Sequence, residues 1–291
     1  MTEAEYLKSI PVKSVIAGKR ETDYLGGQLP YEVRLPSGDW RPFAPIGEKQ
    51  KFKNLETLGC TGYSNNNLRE TTLKFLTGEE FNFSDRALNQ LAGVIQGMGN
   101  YLYKPADVAR KHGVILESDW SQPAEDSTIS WMEYYKPIPP HVIDKLIKLD
   151  EAYEWVNTDK KSLEFHLRQA PLQLAIPAVN PVHAVVLLAI TDSTYWIYDS
   201  YSPYLKAVSN LSIDSALKIV VKLPANRPEE VYKKYNDPLL YQKTGNVLIP
   251  IYTEWAFYLQ DYIGVQIKIL EEEEFNRYKI SNLNIKSWKN S

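Results

Sequence analysis

One cysteine, Cys60, and four histidines are the only typical zinc ligands of those two types in 291 residues. A single thiol excludes a disulfide framework within the chain, and so few ligands at such wide spacing do not suit a structural zinc site. No apolar stretch reaches the length needed to cross a bilayer. The opening Met1–Arg20 alternates charges with short apolar pieces and lacks the apolar heart of a secretory signal, which points to an intracellular or virus-particle setting. Charge of one sign is also missing. Thirty-three basic against thirty-six acidic side chains leave a net charge of −3, scattered along the chain, and nothing in that balance selects nucleic acid or an anionic membrane as the main partner. What is present in quantity is apolar: at 44% hydrophobic residues the chain can bury a sizeable core.

The texture of the sequence changes along its length. Residues 1–49 are rich in proline, glycine and isolated aromatics, and read as an extended arm with little regular structure. From Cys60 the pattern turns helical, with Leu68, Thr71, Thr72 and Phe75 at helical spacing and Gly78 as a cap. Ser84 is placed to cap a second helix that ends before Gly97, and a third helix begins near Pro105 and stops at Gly113. Further helices are expected through Val142, Leu146 and Leu149, and from about Asp159 to Gln169. After Pro171 the sequence reads as strands, at 172–179, 184–190 and 195–198, with Asp192-Ser193-Thr194 as a turn between the last two. Helices first and strands afterwards imply an α+β protein of two lobes. Residues 50–222 form the expected main domain. Residues 223–291 form a small appended α/β module with a strand at 246–252, a helix at 253–262 and a strand at 265–270, too small to hold much core alone.

Three residues carry the chemistry. Cys60 stands where loop becomes helix, and the unpaired amides and positive dipole end of a helix N-terminus stabilise a thiolate. Gly59 and Gly62 beside it leave room for a substrate carbonyl. A lone cysteine is more often a small buried apolar residue, so Cys60 by itself favours that plain role. His183 opens a strongly apolar strand, and Asp199 closes the next one. Two strands joined by a tight turn run antiparallel, which makes His183 and Asp199 neighbours. That is how a third group fixes the tautomer and direction of an imidazole serving a nucleophile. His112, His141 and His166 have no cysteine or carboxylate at ligand spacing and read as surface or capping residues.

Cys60 opening a helix, then His183-Ala184-Val185, then Trp196-Ile197-Tyr198-Asp199-Ser200-Tyr201 resemble the papain superfamily, whose motifs are a helix-start Cys, a strand-start His-Ala and an Asn-Ser-Trp in that order. Asn67 and Glu70 on the cysteine's helix, followed by Phe83-Ser84-Asp85-Arg86, resemble the divergent peptidase-like proteins encoded by bacterial viruses. The resemblance covers roughly residues 45 to 210. It implies a papain-like two-lobe fold: a helical lobe bearing the nucleophile and an antiparallel β lobe. It gives Asp199 the place of the asparagine that orients the histidine, and Tyr201 the place of the tryptophan that shields the pair from water. For the oxyanion donor it points to Gln50, ten residues before the cysteine, or Asn54, six before; Gln50 has the right chemistry and Asn54 the right spacing, and Gln50 is favoured, with the Cys60 backbone amide as the second donor. Gly99 and Asn100 resemble the glycine loop that pairs with an extended peptide, and equally fit a plain turn.

The chemistry so implied is hydrolysis of a peptide or isopeptide bond through a Cys60 thioester, with no metal or organic cofactor. The substrate would be a peptide or protein: a viral structural precursor or a peptide of the bacterial wall. The departures are Thr61 and Gly62 where an aromatic usually follows the cysteine, Ser202 where a glycine is usual, and Asp199 itself. They permit a rival role as a structural or docking protein of a virus particle, in contact with other virion proteins and located there or in the host cytoplasm.

Overall fold

Capping chemistry sets the helices of the first half. The computed structural model describes residues 1–9, 15–16, 29, 32–47, 49–124, 126–177, 182–222, 230–234, 240–244, 247–251 and 266–280. Helix α1 (Glu3–Ser9) opens the chain and is followed by a two-residue strand, β1 (Val15–Ile16). The opening segment is therefore not wholly extended as its composition suggests. Then come α2 (Cys60–Thr77), α3 (Asp85–Ala92), β2 (Asn100–Tyr101) and α4 (Tyr103–His112). Ser84 caps α3 by accepting a hydrogen bond from the Ala87 amide at 3.1 Å, and Gly93 at φ 72° ends it in the left-handed region that favours glycine.

Helix α2 is buried from Cys60 to Leu73 on every face, charged residues included. Such a helix cannot show a clean apolar stripe, so each polar side chain needs an internal partner. Arg69 forms a two-pronged ion pair with Glu151 at 2.6 and 2.8 Å. Glu70 accepts from the Phe83 amide at 2.7 Å, and Asn66 donates to Asp85 at 2.9 Å. The two segments 66–70 and 83–86 are thus one polar joint between α2 and α3. It is Asn66, not Asn67, that meets Asp85.

Short helices α5 (Trp131–Tyr134) and α6 (Pro140–Ile143) lead to strand β3 (Asp150–Val156). Here the structure departs from expectation: the helix through Leu146 and Leu149 stops at Ile143, and a strand follows. Glu151 and Glu154 hid it. Their charges interrupt the apolar pattern of a buried strand, yet both are buried, Glu151 on Arg69 and Glu154 on Lys218. Helix α7 (Lys160–Leu167) is capped by the Asp159 carboxylate, which accepts from the Ser162 amide at 3.0 Å. Strands β4 (Leu172–Ile176), β5 (His183–Thr191), β6 (Thr194–Tyr198), β7 (Leu205–Ser209) and β8 (Ser215–Lys222) complete a six-stranded antiparallel sheet in the order β3-β8-β4-β5-β6-β7. The β5–β6 hairpin turns through Asp192-Ser193, with Asp192 at φ 52°. Helices and an antiparallel sheet make the fold α+β.

Residues 1–74 with 80–223 form one compact unit, and 75–79 with 224–291 form a second. The second contains a five-stranded mixed sheet, β12-β9-β10-β11-β13, of strands β9 (Glu230–Lys234), β10 (Leu240–Thr244), β11 (Val247–Ile251), β12 (Gln266–Leu270) and β13 (Lys279–Ile280), with a short helix α8 (Glu272–Phe275). Its own apolar cluster gathers Tyr232, Tyr241, Leu248, Leu270 and Phe275. The helix expected at 253–262 lies outside the described residues. Among the described residues no helix is long and apolar enough to cross a membrane.

Candidate active site

Cys60 is the first residue of α2, and the chain is bent into that position by force. Leu58, two residues earlier, sits at φ 57°, a conformation that costs a residue with a Cβ about 1–2 kcal/mol. Strain of that kind persists only where packing imposes it, and Leu58 is buried. The glycines around Cys60 have a different purpose from the one their size suggests. A Cβ on Gly59 or Gly62 would lie 2.4 or 2.3 Å from the Asn89 amide, so the space they leave is filled by α3 rather than kept for a substrate.

His183 begins β5 and Asp199 follows the last residue of β6. The register pairs Val186 with Tyr198, which sets Asp199 diagonally across from His183 on the same face. His183 Nε2 and Asp199 Oδ1 are 2.8 Å apart, both side chains wholly buried. The other ring nitrogen, Nδ1, has no partner within ordinary hydrogen-bond distance among the described residues, and Cys60 lies near enough to the ring to favour its charged form. Burial pulls the imidazole pKa down. The charge and hydrogen bond of Asp199, followed by Cys60, outweigh it and push the value up to about 10. For Asp199 burial also favours the neutral form, but His183 and then Lys206 hold the carboxylate well below its usual range.

Gln50 is fully buried beside this group. Its Oε1 accepts from Ser200 Oγ at 2.6 Å, and its Nε2 donates to the Tyr201 hydroxyl and to Glu56, each at 2.6 Å. Both amide hydrogens are therefore engaged, and one must swing free before the side chain can hold an oxyanion. Asn54 is exposed and accepts from the Ile129 amide at 2.8 Å, away from the cluster. Tyr201 lays its ring against His183, centroids 5.5 Å apart, and its phenol is kept protonated by burial first and then by the nearby Glu56.

Gly99, at φ 80°, closes a tight turn with Ile95, and Asn100 starts β2 with its amide held on the Ala92 carbonyl at 3.0 Å. This edge is occupied by the chain itself. Val15 and Ile16 run parallel to Asn100 and Tyr101, and the Val15 amide donates to the Val182 carbonyl, just before His183, at 2.8 Å. An open cavity of about 460 Å³ adjoins Tyr201, with Lys49, Lys51, Lys53 and Phe52 in its wall. Among the described residues no group of His, Cys, Asp and Glu is placed to hold a metal ion.

Two residues of the cluster escape sequence reasoning. Tyr6 on α1 donates to Asp199 Oδ2 at 2.8 Å, and Lys206 on β7 donates to the same oxygen at 2.8 Å. For Tyr6 no signal existed. For Lys206 there was a faint one: it alternates with buried Val208, while Leu205 faces solvent.

No family model matches the chain, and no curated protein matches its sequence. Solved structures do match in shape. Digestive procathepsin L 3 from the midgut of Tenebrio molitor larvae aligns at a TM-score of 0.52 and 15% identity, over 76% of this chain and 79% of that one. The proform of Amb a 11, a cysteine protease and ragweed pollen allergen, aligns at 0.50 and 15% identity. That match covers 64% of this chain and 66% of the allergen's, just under two thirds of its length. The chain has the papain-like α+β fold.

Proposed function

We propose that this protein is a papain-like thiol hydrolase of peptide or isopeptide bonds, with its cleft closed in the form described here. One observation carries the reading: Cys60, buried at the start of α2, neighbours the buried ring of His183, whose Nε2 is held by Asp199 at 2.8 Å. In the reaction the Cys60 thiol gives its proton to His183 as the sulfur adds to the scissile carbonyl carbon. The oxyanion is held by the Cys60 amide and a reoriented Gln50. His183 passes its proton to the leaving amine, which departs and leaves a thioester. Water then attacks the thioester, His183 takes one of its protons, and the acid product leaves with the thiol restored.

Closure is the second part of the proposal. Cys60 and His183 are wholly buried, and Val15–Ile16 occupies the edge an extended substrate would pair with. That segment has to leave before a peptide can enter. The lysines beside Tyr201 suit a peptide carrying acidic groups. A viral precursor or a wall peptide is the substrate we propose, and the bacteriophage setting itself rests on the sequence resemblance alone.

A second reading draws on the same burial and on the engaged Gln50 amide: a papain-fold docking or structural protein of a virus particle that keeps the three residues for packing. Iodoacetamide separates the two. Labelling of Cys60 should be fast at pH 6 in the full chain or in a Val15→Pro variant that frees the edge, and absent in Cys60→Ala, since an ordinary thiol is almost wholly protonated there. Labelling that is slow in both, and merely follows ordinary thiol ionisation, would remove the hydrolase reading.

A further inference from the structure

The two oxygens of Asp199 divide their work. Oδ1 faces His183 Nε2 at 2.8 Å and the Tyr201 amide at 3.3 Å. Oδ2 faces away and accepts from Lys206 Nζ and from the Tyr6 hydroxyl, each at 2.8 Å. Lys206 is fixed by a second acceptor, the Tyr201 carbonyl at 2.6 Å, and its side chain is 3% exposed. A buried ammonium so placed is a costly feature, and packing does not need it: a methionine would fill the same stem.

The cost has a chemical reason. A full carboxylate buried against an imidazolium binds the ring's proton tightly, because little solvent screens the pair. A histidine that serves as acid and base must release that proton during each turnover. A neutral amide at this position would orient the ring without the added charge. We propose that Lys206 is a positioning residue that offsets part of the charge of Asp199, with Tyr6 as a second donor, so that His183 holds its proton less tightly than it would beside a lone buried carboxylate. This rests on the hydrolase reading for its purpose but is testable without it. The ionisable groups facing His183 are Cys60 from α2, Glu56 from the segment before it, and Asp199 with Tyr201 after β6; Tyr6 and Lys206 act on it through Asp199.

The test is a titration of the full-length chain by ring-nitrogen NMR, with the His183 signals assigned among the four histidines by comparison with a His183→Gln variant. Lys206→Met should raise the pH at which the ring loses its proton by about one unit, a tenfold gain in proton affinity. Asp199→Asn, which leaves Lys206 uncompensated, should lower it. The double variant Lys206→Met/Asp199→Asn should return near the wild-type value. If Lys206→Met does not fold, Asp199→Asn against the double variant still decides, because the double variant buries no lone charge. Equal midpoints in those two, or an unmoved midpoint in a folded Lys206→Met, would overturn the proposal. Iodoacetamide labelling that is slow in both the full chain and Val15→Pro would instead sink the hydrolase reading and leave the order of midpoints standing.

Discussion

The Tyr6 phenol donates to the Asp199 carboxylate at 2.8 Å, joining the first helix of the chain to a residue 193 positions later. Neither side chain reaches solvent. The first turns of the protein are therefore part of the polar cluster around His183, not only a covering for it.

Tyr6→Phe removes one donor from a buried carboxylate that keeps its other partners. Hydrogen bonds to charged groups contribute about 1.5–3 kcal/mol, and the variant should lose stability in that range. Urea unfolding, read as a lower midpoint at unchanged slope, checks it.

Arg69 and Glu151 should be far more sensitive singly than together. Arg69→Met leaves a carboxylate buried without its cation and should cost about 3–5 kcal/mol. Adding Glu151→Leu removes the stranded charge and should recover most of that loss. A double-variant cycle in denaturant measures it, and additive losses would contradict the buried-pair account.

Stability should fall toward both ends of the pH scale, with separate causes. His183 is raised to about 10 in the folded state, so its contribution is complete below the unfolded value near 6.5 and fades as pH climbs to about 10. His166 goes the other way: burial, then Lys218, press it down to about 4, so the unfolded chain takes up the proton first and stability drops as pH falls from about 6.5 to about 4. Asp199, with its lowered pKa, contributes above the unfolded carboxylate range near 3.9, and that contribution drains away at lower pH. Thermal unfolding across pH should lose its alkaline decline in His183→Gln and its first acid decline in His166→Gln.

Val15→Pro deletes the amide that reaches the Val182 carbonyl while keeping a backbone angle an extended segment tolerates. Labelling of Cys60 by iodoacetamide at pH 6 should speed up at least about tenfold relative to the unaltered chain, since freeing the edge opens a way to a sulfur that is wholly buried. An unchanged rate would show that this strand does not control access.

The helical lobe was legible because its signals are local. Ser84 and Gly113 act within four residues of the groups they cap, whereas α3 was expected to run on to Gly97 and ends instead at Gly93. The β5–β6 hairpin was legible for a related reason: a tight turn forces antiparallel pairing and brings the ends of the two strands together. Asp199 reaches the face of His183 only through the one-residue register shift between Leu187 and Ala189, which no local signal announced. Strand β3 was not legible, because its glutamates are neutralised by Arg69 and Lys218 from elsewhere in the chain. The glycines at 59 and 62 were read as room for substrate, when the Asn89 side chain fills it.

By itself the sequence determined the α+β order, the helix that starts at Cys60 and the hairpin that carries His183 and Asp199 at its open end, because each depends on residues near one another along the chain or on the period of a strand. Only the tertiary structure decided that Tyr6 and Lys206 share the far oxygen of Asp199, that Gln50 rather than Asn54 joins the cluster, and that Val15 lies along the edge at Asn100. Those choices pair charges, donors and strand edges brought together from distant parts of the chain. A buried charge selects its partner by proximity in space, and spacing along the chain carries no record of it.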